Sequence, residues 1–300
     1  MAESRRDIWA EWLLNRRFRG DREQMQTALV NFLYPVRDKV LQNANLSDGK
    51  VLLDVGCGDG LIAFGALEKF DMQKVIFSDI SQDLLDHSES IAREMQVLDR
   101  CEFLRAPADD LSAVSDNSMD AVTTRSVLIY VSAKQKAFNE FFRVLKPDGR
   151  LSIFEPINRF SHPEPLHLFG GYDIQPVLKI ADKIKAVFER LQPIDTDPML
   201  DFDEQDLIAF AEKAGFREIH LDLQIEVKLP MDYDGPVGEN RWEKFLKYAG
   251  NPKIPTLEEA MDQVLSTVEI EKFTDHLRPL VNAKLGSTRS SLAYLWAVKG

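Results

Sequence analysis

Leu53-Asp54-Val55-Gly56-Cys57-Gly58-Asp59-Gly60 decides the reading of this chain. It closes a short apolar run, Lys50 to Val55, that reads as a buried strand, and it leads into a helix around 60–70. Glycine is needed where the backbone takes positive φ or must approach a ligand closely. Amide groups at a helix start point at the ligand and favour an anionic group. The turn therefore suits a nucleotide-like molecule carrying a carboxylate or phosphate. Asp79 lies nineteen residues beyond Gly60, at the end of a second strand, Lys74 to Asp79. A carboxylate there can accept hydrogen bonds from vicinal ribose hydroxyls. The plainer alternative is a tight strand–helix turn with Asp79 capping the next helix.

Around this turn, strands and helices alternate. Ser81 is placed to cap a helix carrying Leu84 and Leu85. Cys101–Arg105 and Asp120–Arg125 read as a third and fourth strand, and Arg150–Glu155 as a fifth. Between the last two, Ser132 and Gln135 have capping-box spacing, and Phe138, Phe141, Phe142 and Leu145 form one apolar helix face. The alternation predicts an α/β fold: a doubly wound, mostly parallel sheet with helices on both faces and the ligand at the carboxyl ends of the strands.

Outside this core the pattern is helical at the start and mixed at the end. Residues 1–46 read as an N-terminal helical cap, and 47–160 as the cofactor-binding core. Residues 161–216 read as a lid or substrate segment, with helices at about 174–191 and from Asp203 to a Gly215 stop. Residues 217–300 supply the remaining strands, 217–229 and 291–298, around a helical insertion at about 230–288 that has a capping box at Thr256 and Glu259. The lid segments are expected over the carboxyl end of the sheet.

Bulk properties narrow the class. The chain has 300 residues, 44% of them hydrophobic, enough for a sizeable core. Its net charge of −12 disfavours broad nucleic-acid or anionic-membrane binding. Two cysteines form no disulfide framework and have no metal-type spacing, so no metal is expected. A polar start from Met1 to Arg6 and the lack of a long apolar run predict a cytoplasmic protein.

The sequence resembles the class I S-adenosylmethionine-dependent methyltransferases of small-molecule type. Leu53 to Gly60 matches their first motif almost letter for letter, and Leu145-Lys146-Pro147-Asp148-Gly149-Arg150-Leu151 is similar to their turn before the fifth strand, with Asp148 in place of a glycine. The resemblance is clear over about 47–160 and implies a seven-stranded Rossmann-like sheet and S-adenosyl-L-methionine as cofactor. It implies that Asp54, Gly56, Cys57, Gly58 and Gly60 line the methionine and ribose portion, that Asp79 binds the ribose hydroxyls, and that Ile80 packs on the adenine. Ala108 and Asp109 fall at the adenine edge, and Thr124 and Arg125 at the methionine end. Where the family often has Gly-Asp-Ala, this chain has Ala106-Pro107-Ala108, which leaves the adenine amino group to Asp109 or water.

Methyl transfer needs alignment, exclusion of water and, for some acceptors, a base. Glu155 and Arg125 end neighbouring strands and are candidates for base and substrate anchor, or for a structural ion pair with each other. His162 and His167, in a proline-rich segment, are candidate bases or ordinary surface histidines. Tyr130, Phe154, Phe160, Tyr172 and Trp242 read as acceptor-pocket aromatics or as plain core. Arg16, Arg17, Arg19 and Arg22 read as a solvated helix face, or as a source of one arginine for the cofactor carboxylate. The expected function is methyl transfer to O, N or C of a small organic molecule. A non-catalytic S-adenosylmethionine-binding protein is the alternative. An RNA methyltransferase is disfavoured by charge. A nicotinamide-dependent dehydrogenase is disfavoured because Leu61 follows Gly60 and the Gly-x-Gly-x-x-Gly spacing is missing.

Overall fold

The computed structural model describes residues 6–17, 22–230 and 241–300. The described strands are β1 (Val51–Val55), β2 (Lys74–Asp79), β3 (Cys101–Arg105), β4 (Met119–Arg125), β5 (Leu145–Pro156), β6 (Leu168–Phe169), β7 (Tyr172–Asp173), β8 (Phe216–Lys228) and β9 (Thr288–Lys299). The described α-helices are α1 (Ile8–Ala10), α2 (Arg22–Ala28), α3 (Tyr34–Asn43), α4 (Leu61–Lys69), α5 (Gln82–Glu94), α6 (Lys134–Val144), α7 (Leu178–Leu191), α8 (Glu204–Ala214), α9 (Arg241–Lys247), α10 (Leu257–Val264) and α11 (Thr267–Asn282). Seven strands form one sheet in the order β3-β2-β1-β4-β5-β9-β8. Strands β1 to β5 pair in parallel, and β9 runs antiparallel to β5. The order reverses between β1 and β4, the crevice where doubly wound sheets bind ligands. This is the expected Rossmann-like architecture.

Central strands covered on both faces must be apolar almost throughout. Leu52, Leu53, Val55, Val75, Phe77, Ala121, Val122, Leu151 and Ile153 are buried accordingly. Helix α4 buries Ile62, Ala63, Phe64, Ala66 and Leu67 against this sheet, each larger side chain contributing about 1.5–3 kcal/mol. The last strand is fixed by a buried ammonium: Lys299 Nζ donates to Asn117 Oδ1 at 2.8 Å and to the Leu145 carbonyl at 2.7 Å, above the Phe142 ring.

Two compact units divide the chain: 1–157, 202–224 and 292–300 in the first, and 158–201 and 225–291 in the second. The expected 161–216 segment is therefore split. Helix α8 belongs to the sheet unit because Phe210 meets Phe138 of α6 and its carbonyl accepts from the Gln135 side chain. Asp203 caps α8, and left-handed Gly215 ends it. The second unit has its own core, with Ile174, Ala181, Ile184, Trp242, Leu257, Phe273 and Leu277 buried together. Thr256 and Glu259 form the capping box of α10 as expected. The two-stranded hairpin β6–β7 went unread, since two-residue strands leave no period in a sequence.

Two local readings change. Helix α6 starts at Lys134 with Ala133 as its cap, so Ser132 does not cap it. Gln135 instead turns to Asn139 and Phe210, and the Lys134 ammonium holds the Val131 carbonyl at 2.9 Å. The N-terminal helices contain π-helical turns at Glu11–Arg16 and Leu29–Leu33, which an apolar pattern alone does not distinguish from α-helix. Among the described residues, no helix is long and apolar enough to cross a membrane.

Candidate active site

The carboxyl ends of β1 and β2 build the site. Gly56, Gly58 and Gly60 all have positive φ, at 64°, 57° and 80°. Two of them show why nothing larger fits. A Cβ at Gly56 would overlap a Val127 methyl, and one at Gly60 would overlap the Phe64 ring. The loop is pinned from below by the Cys57 amide donating to the Ser78 carbonyl at 2.9 Å. Leu13 of the N-terminal segment packs beside Gly58.

Asp54 is 1% exposed, at the end of β1 and in register with Thr123 of β4. Its Oδ1 accepts from the Thr123 hydroxyl at 2.8 Å. Among the described residues, its Oδ2 is buried without a hydrogen-bond partner. Burial pushes the Asp54 carboxyl up to about 7, while the Thr123 hydroxyl, the Ala63 amide and the Arg125 charge pull the other way. A buried acceptor left open in this way has a strong call on a donor. An amino or hydroxyl group on a ligand held by the glycine loop satisfies it, and S-adenosylmethionine carries both.

Asp79 ends β2. Its Oδ2 accepts from the Gly58 amide and its Oδ1 from the Ser81 amide, each at 2.9 Å. Burial raises its pKa against these amides. Each oxygen retains a second lone pair for a ribose hydroxyl. Asp79 does not cap the next helix, because Ser81 is the cap, accepting from Leu84 N at 3.1 Å. Ile80 is 45% exposed beside Asp79, an apolar face open to a flat ring. Ala108 is buried and Asp109 half-buried in the loop after β3, which is tied to β2 by Ala106 N and the Asp79 carbonyl. Cys57 is buried, and burial raises its thiol pKa, which suits packing and not nucleophilic attack.

Thr124 is buried and Arg125 half-buried at the end of β4. Glu155 does not fit the role of exposed base. It is fully buried, and its Oε1 accepts from the amides of Val127 and Leu128 at 2.9 and 3.0 Å. Burial pushes it up to about 7 against those amides. Its carboxylate serves the backbone, and the ion pair considered with Arg125 gives way to these bonds. His162 and His167 lie in the second unit, both exposed, with His162 Nδ1 beside Ser161 Oγ at 3.1 Å. Phe154 and Trp242 are core residues. Arg17 lies over the Trp12 ring, and Arg19 lies outside the described residues.

Sequence reasoning missed three contributors. Thr123 was unsignalled, because only strand register sets it opposite Asp54. Val127 is visible only as the wall against Gly56. Asp7 caps the first helix through Trp9 N and Ala10 N and also accepts from Ser81 Oγ at 2.6 Å, which links that helix to the Asp79 turn across more than seventy residues of chain.

Comparison with known proteins agrees with this geometry. Residues 53–153 match the methyltransferase domain family model. The chain is 30% identical over 175 residues to the ubiquinone/menaquinone biosynthesis C-methyltransferase UbiE of Salmonella paratyphi B, covering 57% of this chain and 68% of that protein. In fold it is similar to a methyltransferase structure from Bacillus halodurans (TM-score 0.51, 18% identity, 88% of this chain and 98% of the other). It is also similar to phosphoethanolamine N-methyltransferase 2 of Haemonchus contortus, solved with phosphomonomethylethanolamine and S-adenosylhomocysteine (TM-score 0.52, 17% identity, 98% and 59%). The two solved structures share the fold, and the likeness to UbiE together with the family-model match shows that the chain belongs to the class I S-adenosylmethionine-dependent methyltransferases.

Proposed function

We propose that this enzyme methylates O, N or C of a small organic acceptor, and that the residues around the glycine loop divide the cofactor between them. The observation that carries the cofactor assignment is the open, buried Oδ2 of Asp54 beside three left-handed glycines. In this reading Asp54, Gly56, Cys57, Gly58 and Gly60 hold the methionine and ribose portion, and Asp79 takes the ribose hydroxyls. Ile80 covers the adenine, with Ala108 and Asp109 at its edge. Thr124 and Arg125 close the methionine end, where the guanidinium offsets a carboxylate.

When bound, S-adenosylmethionine supplies a methyl group on a sulfonium, a strong electrophile. The chain's own contribution is alignment. Asp54 and Asp79 orient the ligand from two adjacent strands, and Leu13 shields the loop from water on the Gly58 side. A small acceptor is supported by the net charge of −12 and by the likeness to UbiE, whose name specifies C-methylation in quinone biosynthesis. Two free cysteines support a reducing compartment such as the cytoplasm.

The test is incubation of the protein with isotopically labelled S-adenosylmethionine and a small-molecule cell extract, followed by mass spectrometry. A labelled low-mass product is expected. Label appearing only in RNA or protein, or nowhere, would overturn the small-acceptor reading. Calorimetry with S-adenosylmethionine and separately with NAD should show binding of the first only.

A further inference from the structure

Glu155 is fully buried on β5, with β4 between it and the strand that carries Asp54. Its Oε1 accepts from Val127 N at 2.9 Å and Leu128 N at 3.0 Å, and its Oε2 from Ile129 N at 3.4 Å. The Thr124 hydroxyl lies 3.5 Å from the same Oε1. Three consecutive amides converging on one carboxylate fix the loop after β4 from the neighbouring strand. The loop begins at Ser126, which holds a left-handed φ of 56° and donates its amide to the Phe154 carbonyl at 2.8 Å. Its far end is held by the Lys134 ammonium on the Val131 carbonyl at 2.9 Å. The result of this fastening is the position of Val127, whose methyl fills the space where Gly56 has no Cβ.

We propose that Glu155 is a positioning residue for cofactor binding: by gathering the amides of residues 127–129, it presses Val127 onto Gly56 and so sets the shape of the glycine loop. The inference rests on the cofactor assignment above. An apolar side chain at 155 would leave three amide donors without their acceptor, a state that buried backbone rarely tolerates. The loop would then shift to find partners, and Val127 would move off Gly56. Glu155 acts through backbone geometry and needs no contact with the cofactor or acceptor.

The test uses full-length Glu155→Gln, Val127→Ala and the double variant, with S-adenosylhomocysteine as probe. A glutamine retains one oxygen acceptor but sets an amide donor against one of the three N–H groups. In the unliganded wild type, amide exchange at 127–129 should be slow, and in Glu155→Gln it should be faster there than elsewhere in the sheet. S-adenosylhomocysteine should bind Glu155→Gln roughly tenfold more weakly by calorimetry, the effect of about one net charge-assisted hydrogen bond. The double variant should bind no more weakly than the weaker single, because both changes release the same contact. Unchanged affinity in a folded Glu155→Gln, or fully additive losses in the double variant, would overturn the proposal. Fast exchange at 127–129 in the wild type would do so as well. If Glu155→Gln fails to fold, Glu155→Asp carries the same comparison, since it keeps the charge on a side chain one methylene shorter. A wild type that does not bind S-adenosylhomocysteine at all would overturn the cofactor assignment instead, while the exchange measurement still decides whether the clamp exists.

Discussion

Thr123→Val isolates a single hydrogen bond to the buried carboxylate at the end of β1. The substitution keeps the shape of the side chain and removes the hydroxyl that donates to Asp54 Oδ1 at 2.8 Å. Both residues are inaccessible, at 0% and 1% exposure, so water cannot replace the bond. A hydrogen bond to an ionised group is worth about 1.5–3 kcal/mol, and one between neutral groups about 0.5–1.5 kcal/mol. Asp54 is held up to about 7 in the native protein, against 3.8 ordinarily. For a carboxyl raised in this way, stability is greatest when the pH lies below the unfolded value. It falls as pH rises through the native value, because the unfolded chain ionises first. In the wild type that loss runs from about pH 4 to pH 7 and then levels off. Without the Thr123 hydroxyl, the ionised form loses more than the neutral one, so the native pKa rises further, by about one unit. The variant should therefore keep losing stability between about pH 7 and pH 8, where the wild-type contribution of Asp54 is flat. Urea unfolding at pH 6 and pH 9 measures this directly: a destabilisation of about 1 kcal/mol at pH 6 should grow to about 2 kcal/mol at pH 9. An equal difference at both pH values would refute the coupling between Thr123 and the charge on Asp54.

Other outcomes follow from the same contacts. Asp79→Ala should weaken S-adenosylmethionine binding by about 1–3 kcal/mol in calorimetry, and should also lower Tm, because the Gly58 and Ser81 amides lose their acceptor. Gly60→Ala places a side chain at a φ of 80° against the Phe64 ring, and should cost about 2–5 kcal/mol in denaturant unfolding, from left-handed strain and overpacking together. Asp7→Ala removes the cap of the first helix and the tie to Ser81, and should cost about 1 kcal/mol and speed amide exchange at residues 8–16. Burial would raise Asp7, but the Ser81 hydroxyl and the Ala10 and Trp9 amides hold it below the ordinary carboxylate value. Its contribution to stability is therefore present above about pH 4 and lost as pH falls through the lowered native value. In acid, wild type and Asp7→Ala should converge in Tm.

The glycine loop was legible in the sequence because its demands are local. Left-handed backbone at 56, 58 and 60 requires glycine wherever the chain goes afterwards, and a buried parallel strand must be apolar along its whole length. Asp79 was legible for a related reason: a strand–helix–strand unit has a nearly fixed length, so spacing from Gly60 to the end of the next strand is itself a coordinate. Ser81 as a cap, Asp203 to Gly215 as a helix and Thr256 with Glu259 as a capping box are similarly short-range features. The Ser132 cap failed because a tertiary partner won: Gln135 found the Phe210 carbonyl of α8, and no local pattern announces that contact.

Glu155 marks the boundary most clearly. Its type and its place at the end of a strand are written in the chain, and they are equally consistent with a base, a substrate anchor or an ion-pair partner. Only the packed structure shows three amides of another strand's loop turned onto it. Thr123 opposite Asp54, Val127 against Gly56 and Asp7 on Ser81 are of the same kind, contacts between residues far apart in sequence. Sequence alone determines the positions whose backbone conformation or burial admits few residue types, and here those positions spell out the glycine loop and the buried strands around it. Tertiary structure decides which polar groups meet once the strands are in register, because a hydrogen bond depends on angles and distances that no single segment carries.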